Sequence, residues 1–178
     1  NGTPLSNLPG LPKVDGRSDL RGISFSQENL REKRNVVVGD GIKLNLVIGP
    51  IPMIKHYEFR DIDFSYANLN GVYFDDCTFQ NVFLIQAQGE GVRDRACTFI
   101  DVNFSHARWN GSTVGLDGAR YERVQFIGTD LRRISCYRGY FIDCDFSNSK
   151  LVHINFNASH FIRCKFKGKL KEIWFRGY

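Results

Sequence analysis

Polar and apolar positions in this chain follow a period of five. Phe59, Phe64, Leu69, Phe74, Phe79 and Leu84 are bulky apolar residues five apart. Gly89 and Asp94 break the series, and Phe99, Phe104 and Trp109 resume it in the same phase. A two-residue slip near Asn110–Thr113 follows, and the count restarts at Leu116. It then runs through Tyr121, Phe126, Leu131, Cys136, Phe141, Phe146, Leu151, Phe156, Phe161 and Phe166. A helix repeats about every 3.6 residues and a strand every two, so neither puts each fifth residue on one side. A short fixed period predicts a repeat architecture, in which a unit buries its apolar residue only when neighbours stack on it.

The positions two before each bulky residue are small or β-branched, as in Ala67, Val72, Cys77, Val82, Val102, Ala119, Val124 and Ile154. The residue between them is often Asp, Asn, Ser or Thr. Stretches such as YANLN (66–70), DVNFS (101–105), GTDLR (128–132) and CDFSN (144–148) therefore resemble the pentapeptide-repeat family, over about 22 quintets. The resemblance implies an all-β fold, a right-handed quadrilateral parallel β-helix with four quintets to each square coil. Residues 20 apart then stack about 4.8 Å from one another, like neighbouring strands. Phe59, Phe79 and Phe99 would form one column, and Phe126, Phe146 and Phe166 another. Arg123, Asp143 and Arg163 would alternate in sign outside, Asp75 would meet Arg95, and Asp145 would meet Lys165.

Departures from the period mark the organisation. Residues 1–16, rich in Gly and Pro, read as an extended lead-in. Leu20, Phe25 and Leu30 recur at five and place a first repeat coil at 17–34. Within 35–56, Val36–Val38, the turn residues Gly39, Asp40 and Gly41, and the alternating Ile42, Leu44, Leu46 and Ile48 predict an inserted β-hairpin. The hairpin either caps the outermost coil or protrudes towards a partner. The main β-helix spans 57–166, and 167–178 leaves the quintet as a cap or dimerisation tail. In relatives, an apolar C-terminal end mediates a head-to-head dimer, so the resemblance implies a homodimer through this end.

Burying an unpaired Asp is costly, so Asp94 in a bulky slot predicts a bulged wall exposing Glu90, Arg93, Asp94 and Arg95. These four are candidate partner-binding residues, with Arg132, Arg133, Trp174, Phe175 and Tyr178. No phosphate loop, dinucleotide fingerprint or zinc spacing occurs, and the four histidines have no evident catalytic partners. The sequence thus implies no enzyme, no cofactor and no metal. Five cysteines include two pairs 20 apart, Cys77 with Cys97 and Cys144 with Cys164. They read as stacked core thiols in a reducing compartment, with side chains directed poorly for disulfides. That compartment is the bacterial cytoplasm, or a host cytosol for a secreted effector. No apolar run approaches the ~20 residues of a membrane span.

The net charge of +5 is uneven: −4 over residues 57–109, +3 over 110–166, and +3 in each flank. Quinolone-resistance members of the family bind DNA gyrase through a strongly acidic, DNA-like surface, which requires a continuous negative field. Arg120, Arg123, Arg132, Arg133 and Arg138 oppose such a field here. The arginines fall in different coil positions, which disfavours direct nucleic-acid binding. The expectation is a non-enzymatic protein-interaction scaffold, such as the recruiting module of a larger bacterial effector-type protein. Gyrase modulation is the alternative.

Overall fold

The computed structural model describes residues 3–4, 12–24, 35–38, 42–45, 47–48, 52–116, 118–168 and 170–175. Among them there is no helix. The chain winds as the expected right-handed four-sided β-helix. Two opposed purposes shape each quintet: its central side chain points inward, and its last residue must turn the chain to the next side. That turn is made in the left-handed region, at Asp61, Asp76, Asn81, Ala96, Arg123, Arg133, Arg138, His153 and Arg163 among others, with φ between 51° and 60°. Glycines occupy the same corner at 71, 91, 111 and 128, where a missing Cβ makes the conformation inexpensive.

The sides differ in kind. One is a nine-stranded sheet whose core strands are Tyr57–Asp63, Thr78–Phe83, Thr98–Ile100, Arg120–Glu122, Tyr140–Ile142 and His160–Ile162, all parallel. Another is an eight-stranded sheet containing Pro52–Lys55, Tyr73–Asp75, Arg93–Arg95, Thr113–Leu116, Ser135–Tyr137, Leu151–Asn157 and Leu170–Trp174. The two remaining sides are joined by single bridges, such as Phe83–Asn103–Gln125–Asp145–Lys165 and Asn68–Gln88–Arg108–Asp130–Lys150. There the Asx residues have a local task. Asp63, Asn103 and Asp145 accept the backbone N–H two residues on, at 2.8 to 2.9 Å, which holds the turn.

Inside, the columns run as the period requires. Phe59, Phe79, Phe99, Tyr121, Phe141 and Phe161 stack with centroids 4.7 to 4.8 Å apart. Phe104, Phe126, Phe146 and Phe166 stack beside them at 4.8 to 5.2 Å. Outside, Asp75 pairs with Arg95 at 2.8 Å, Asp143 with Arg163 at 2.6 Å and Asp145 with Lys165 at 3.7 Å. Arg123 stays in the expected ladder, one coil before Asp143, and its guanidinium pairs with Asp101 of the preceding coil at 2.6 Å.

The slip lies later than the sequence suggests. Thr113 is still 20 residues beyond its partner Arg93, whereas Leu116 pairs with Arg95 and Arg120 with Thr98. The two extra residues thus enter over 115–118. Val114, in register with Cys136, takes the central column position that the sequence count gave to Leu116.

At the N-terminal side, the lead-in is not simply extended. Lys13–Val14 pairs antiparallel with Arg17–Asp19 across Asp15 and Gly16, whose φ values of 49° and 79° are those of a tight hairpin turn. Thr3–Pro4 adds a parallel strand beside Tyr57–Asp63. Arg17 fastens the hairpin to the solenoid, with its guanidinium 3.7 Å from the Phe83 ring and 2.5 Å from Asn81 Oδ1. Asn35–Val38 and Ile42–Asn45 form an antiparallel pair, and Val47–Ile48 pairs antiparallel with Pro52–Lys55. Phe25, Leu30, Leu46 and the turn at 39–41 lie outside the described residues.

Candidate functional site

Gly89 and Asp94, which interrupt the period, do not make the wall bulge. Gly89 yields its space to Trp109 one coil on: a Cβ there would lie 2.2 Å from Trp109 Cε3. Asp94 is buried, 2% exposed, contrary to the expected exposure. Its cost of burial is offset from the neighbouring wall, where the Tyr121 hydroxyl lies 2.9 Å from both carboxylate oxygens. Burial first, and the Asp94 charge second, push the Tyr121 phenol well above its ordinary range. Beside the pair is an interior cavity of about 20 Å³, lined by Asp94, Tyr121 and core aromatics including Trp109.

Arg93 and Arg95 flank Asp94 with their side chains outward and exposed. They sit on the outer face of the eight-stranded sheet. Arg95 and Lys55 close on Asp75 from either side, at 2.8 and 3.2 Å. The hydrogen bond from Arg95 holds the Asp75 carboxyl below its ordinary range despite burial. The Arg93 column continues through Thr113, Ser135 and Asn155 to Trp174. Arg93 and Trp174 therefore share one ladder, four coils or about 19 Å apart. Glu90, Arg132 and Arg133 lie on the adjoining edge, where Glu90 N–H donates to Asn70 Oδ1 at 2.8 Å and Arg132 pairs with Asp130 at 2.6 Å. Farther along the sheet, the Arg138 guanidinium lies 5.0 Å from the Tyr137 ring.

The C-terminal segment stays in the ladder instead of folding over it. Leu170–Trp174 pairs parallel with Leu151–Asn157 at a spacing of 19 residues, one short of a full coil. Phe175 then stacks on Phe156 at 5.6 Å. Leu170, Trp174 and Phe175 are 55%, 50% and 60% exposed, and Phe166 and Ile162 are also exposed. Sequence reasoning marked Trp174 and Phe175 but not Phe166, Leu170 or Ile162. The available signal for Phe166 was its place as the last bulky residue of its column among the described residues. Tyr178 lies outside the described residues. The structure thus brings Glu90, Arg93, Arg95, Arg132, Arg133 and Trp174 to one side of the solenoid, puts Phe175 at its end and removes Asp94 to the interior. Among the described residues no cluster of three metal-ligating side chains occurs.

The described residues thus form a square β-solenoid whose outer walls carry flat ladders of side chains. A family model described as pentapeptide repeats matches residues 58–88 and 140–168 in eight copies. Those two stretches carry pentapeptide repeats of this kind. Among solved structures, QnrB1, a plasmid-mediated fluoroquinolone resistance protein, is similar at 15% identity and a TM-score of 0.45. That match covers 69% of this chain and 72% of QnrB1. Rfr23 of the cyanobacterium Cyanothece 51142 is similar at 14% identity and a TM-score of 0.28, covering 64% of this chain and 60% of its own. HetL of Nostoc sp. strain PCC 7120, involved in heterocyst differentiation regulation, is similar at 10% identity and a TM-score of 0.22, with 89% of each chain covered. No curated protein matches the sequence.

Proposed function

We propose that this chain is a non-enzymatic protein-interaction scaffold that docks through its C-terminal end, with a second copy of itself as one partner. The observation that carries the reading is the contrast between the two ends. On the N-terminal side, the two sheets finish in the antiparallel strands Lys13–Val14 and Val47–Ile48, with the short parallel strand Thr3–Pro4 beside the first. On the C-terminal side, both finish in parallel strands, His160–Ile162 and Leu170–Trp174, beside the exposed Phe166, Leu170, Trp174 and Phe175. A solenoid end with apolar side chains and unpaired strand edges favours coverage by another surface. The second-sheet face bearing Arg93 and Arg95 runs down the ladder to Trp174 at this end and supplies polar contacts. The same face suits the recruiting module of a larger effector-type protein.

The outer acidic groups favour this reading over a gyrase-binding DNA mimic. Asp75, Asp101 and Asp143 are each paired to an arginine of a neighbouring coil, which breaks the negative field a mimic requires. Sedimentation velocity on wild type and Phe175→Asp tests the proposal: a dimer that becomes monomeric in the variant is expected. A wild-type monomer at all concentrations, together with inhibition of gyrase supercoiling, would instead establish the gyrase reading.

A further inference from the structure

We propose that Cys144 and Cys164 form a reversible thiol–disulfide switch that fastens the last coil to the one before it. The two residues are in register, bracketed by the pairs Phe141–Phe161, Ile142–Ile162 and Asp145–Lys165. The Lys165 N–H donates to the Cys144 carbonyl at 2.9 Å, which holds the segments together. Strand spacing of about 4.8 Å puts the two Cα atoms within the range a disulfide spans, roughly 4.4–6.8 Å.

Burial distinguishes this pair from the other stacked one. Cys77 and Cys97 are each 1% exposed, with coils on both sides. Cys144 is equally buried, but Cys164 is only half-buried, in the terminal coil. A reagent therefore reaches Cys164 and not the others. The adjoining Cys144 thiol lowers the Cys164 thiol from its ordinary range, against burial and the Asp143 charge, and is itself raised. The Cys164 and Cys144 thiols donate to the Phe141 and Tyr121 carbonyls at 3.3 and 3.5 Å, respectively. Arg163 and Lys165 are the nearby cations in sequence, with Arg163 engaged by Asp143 at 2.6 Å.

The chemistry is ordinary thiol–disulfide exchange with a small disulfide, such as glutathione disulfide, as oxidant. The Cys164 thiolate attacks one sulfur of the oxidant, forming a mixed disulfide and releasing one glutathione thiolate. Cys144 loses its proton and attacks the Cys164 sulfur, releasing the second. Two protein thiols are oxidised, one oxidant disulfide is reduced, and two glutathione thiols leave. In-register side chains run side by side rather than converging, so the new bond is strained and is reversed by reduced thiol. The reduced pair is the resting form, and oxidation locks the terminal coil beneath the docking end.

Differential alkylation with mass spectrometry on the full chain tests this. Iodoacetamide should modify Cys164 roughly tenfold or more faster than the other four cysteines. Glutathione disulfide should yield an intrachain Cys144–Cys164 bond with loss of two hydrogens, slower amide exchange over residues 160–166, and reversal by dithiothreitol. Cys164→Ser, at a half-buried site, should abolish the bond, and Cys77→Ser should leave it intact. A bond between Cys77 and Cys97, arrest at the glutathione adduct, bonds only between chains, or no bond would each overturn the switch.

Discussion

Tyr121 donates to Asp94 inside the solenoid, from one wall to the adjoining one, over 27 residues and the register step. Each residue departs from its own phenylalanine column, Asp94 following Phe74 and Tyr121 following Phe99. Together they satisfy a buried carboxyl that neither wall could accommodate alone.

Tyr121→Phe should therefore destabilise the fold by about 3 kcal/mol, since it removes a hydrogen-bond donor from a buried acid. Asp94→Leu combined with Tyr121→Phe should recover most of that loss, because an apolar pair of similar volume carries no desolvation cost. Urea unfolding of the two single variants and the double variant supplies the cycle. Additive losses would show that the two residues act independently.

Gly89 is constrained by packing. Gly89→Val should cost roughly 1–3 kcal/mol through overpacking against Trp109. Trp109→Leu in the same chain should relieve part of that cost. Thermal unfolding of the pair checks this, and an unchanged Tm for Gly89→Val would contradict it.

The corners store strain that can be released. Ala96 sits at φ 51° and is exposed, so Ala96→Gly should stabilise by about 0.5–1 kcal/mol, the left-handed cost less the added backbone entropy. Chemical denaturation should show a raised midpoint with an unchanged slope.

Acid should weaken the outer ladder through Asp75. Its folded carboxyl is depressed below the ordinary 3.8, so its contribution is complete above that value and is lost as pH falls through the lower folded one. Asp75→Asn should be less stable than wild type at neutral pH and should lose less on going below pH ~4. Denaturant midpoints across that window decide it.

The columns were legible because every bulky residue of a quintet has one destination, and the spacing of 20 matched Phe59 to Phe79 and Cys144 to Cys164 without knowledge of the walls. The partnership of Gly89 with Trp109 also carried a readable signal, a large residue one coil after a glycine in the same column. Asp94 was misplaced for a physical reason: its donor comes from another wall and beyond an irregular step, where column counting gives no neighbour. The left-handed corners at Arg133, Arg138, His153 and Arg163 were equally hidden. The arginine side chains have no preference for that conformation, which is imposed by closing the square.

Concentration-dependent hydrogen exchange over the terminal strand 170–174 tests the docking end most directly. If a second copy covers this end, the amides of Lys171 to Trp174 gain protection as concentration rises, and Phe175→Asp removes the gain. Exchange at those amides that is independent of concentration, in a chain that remains monomeric, would contradict it.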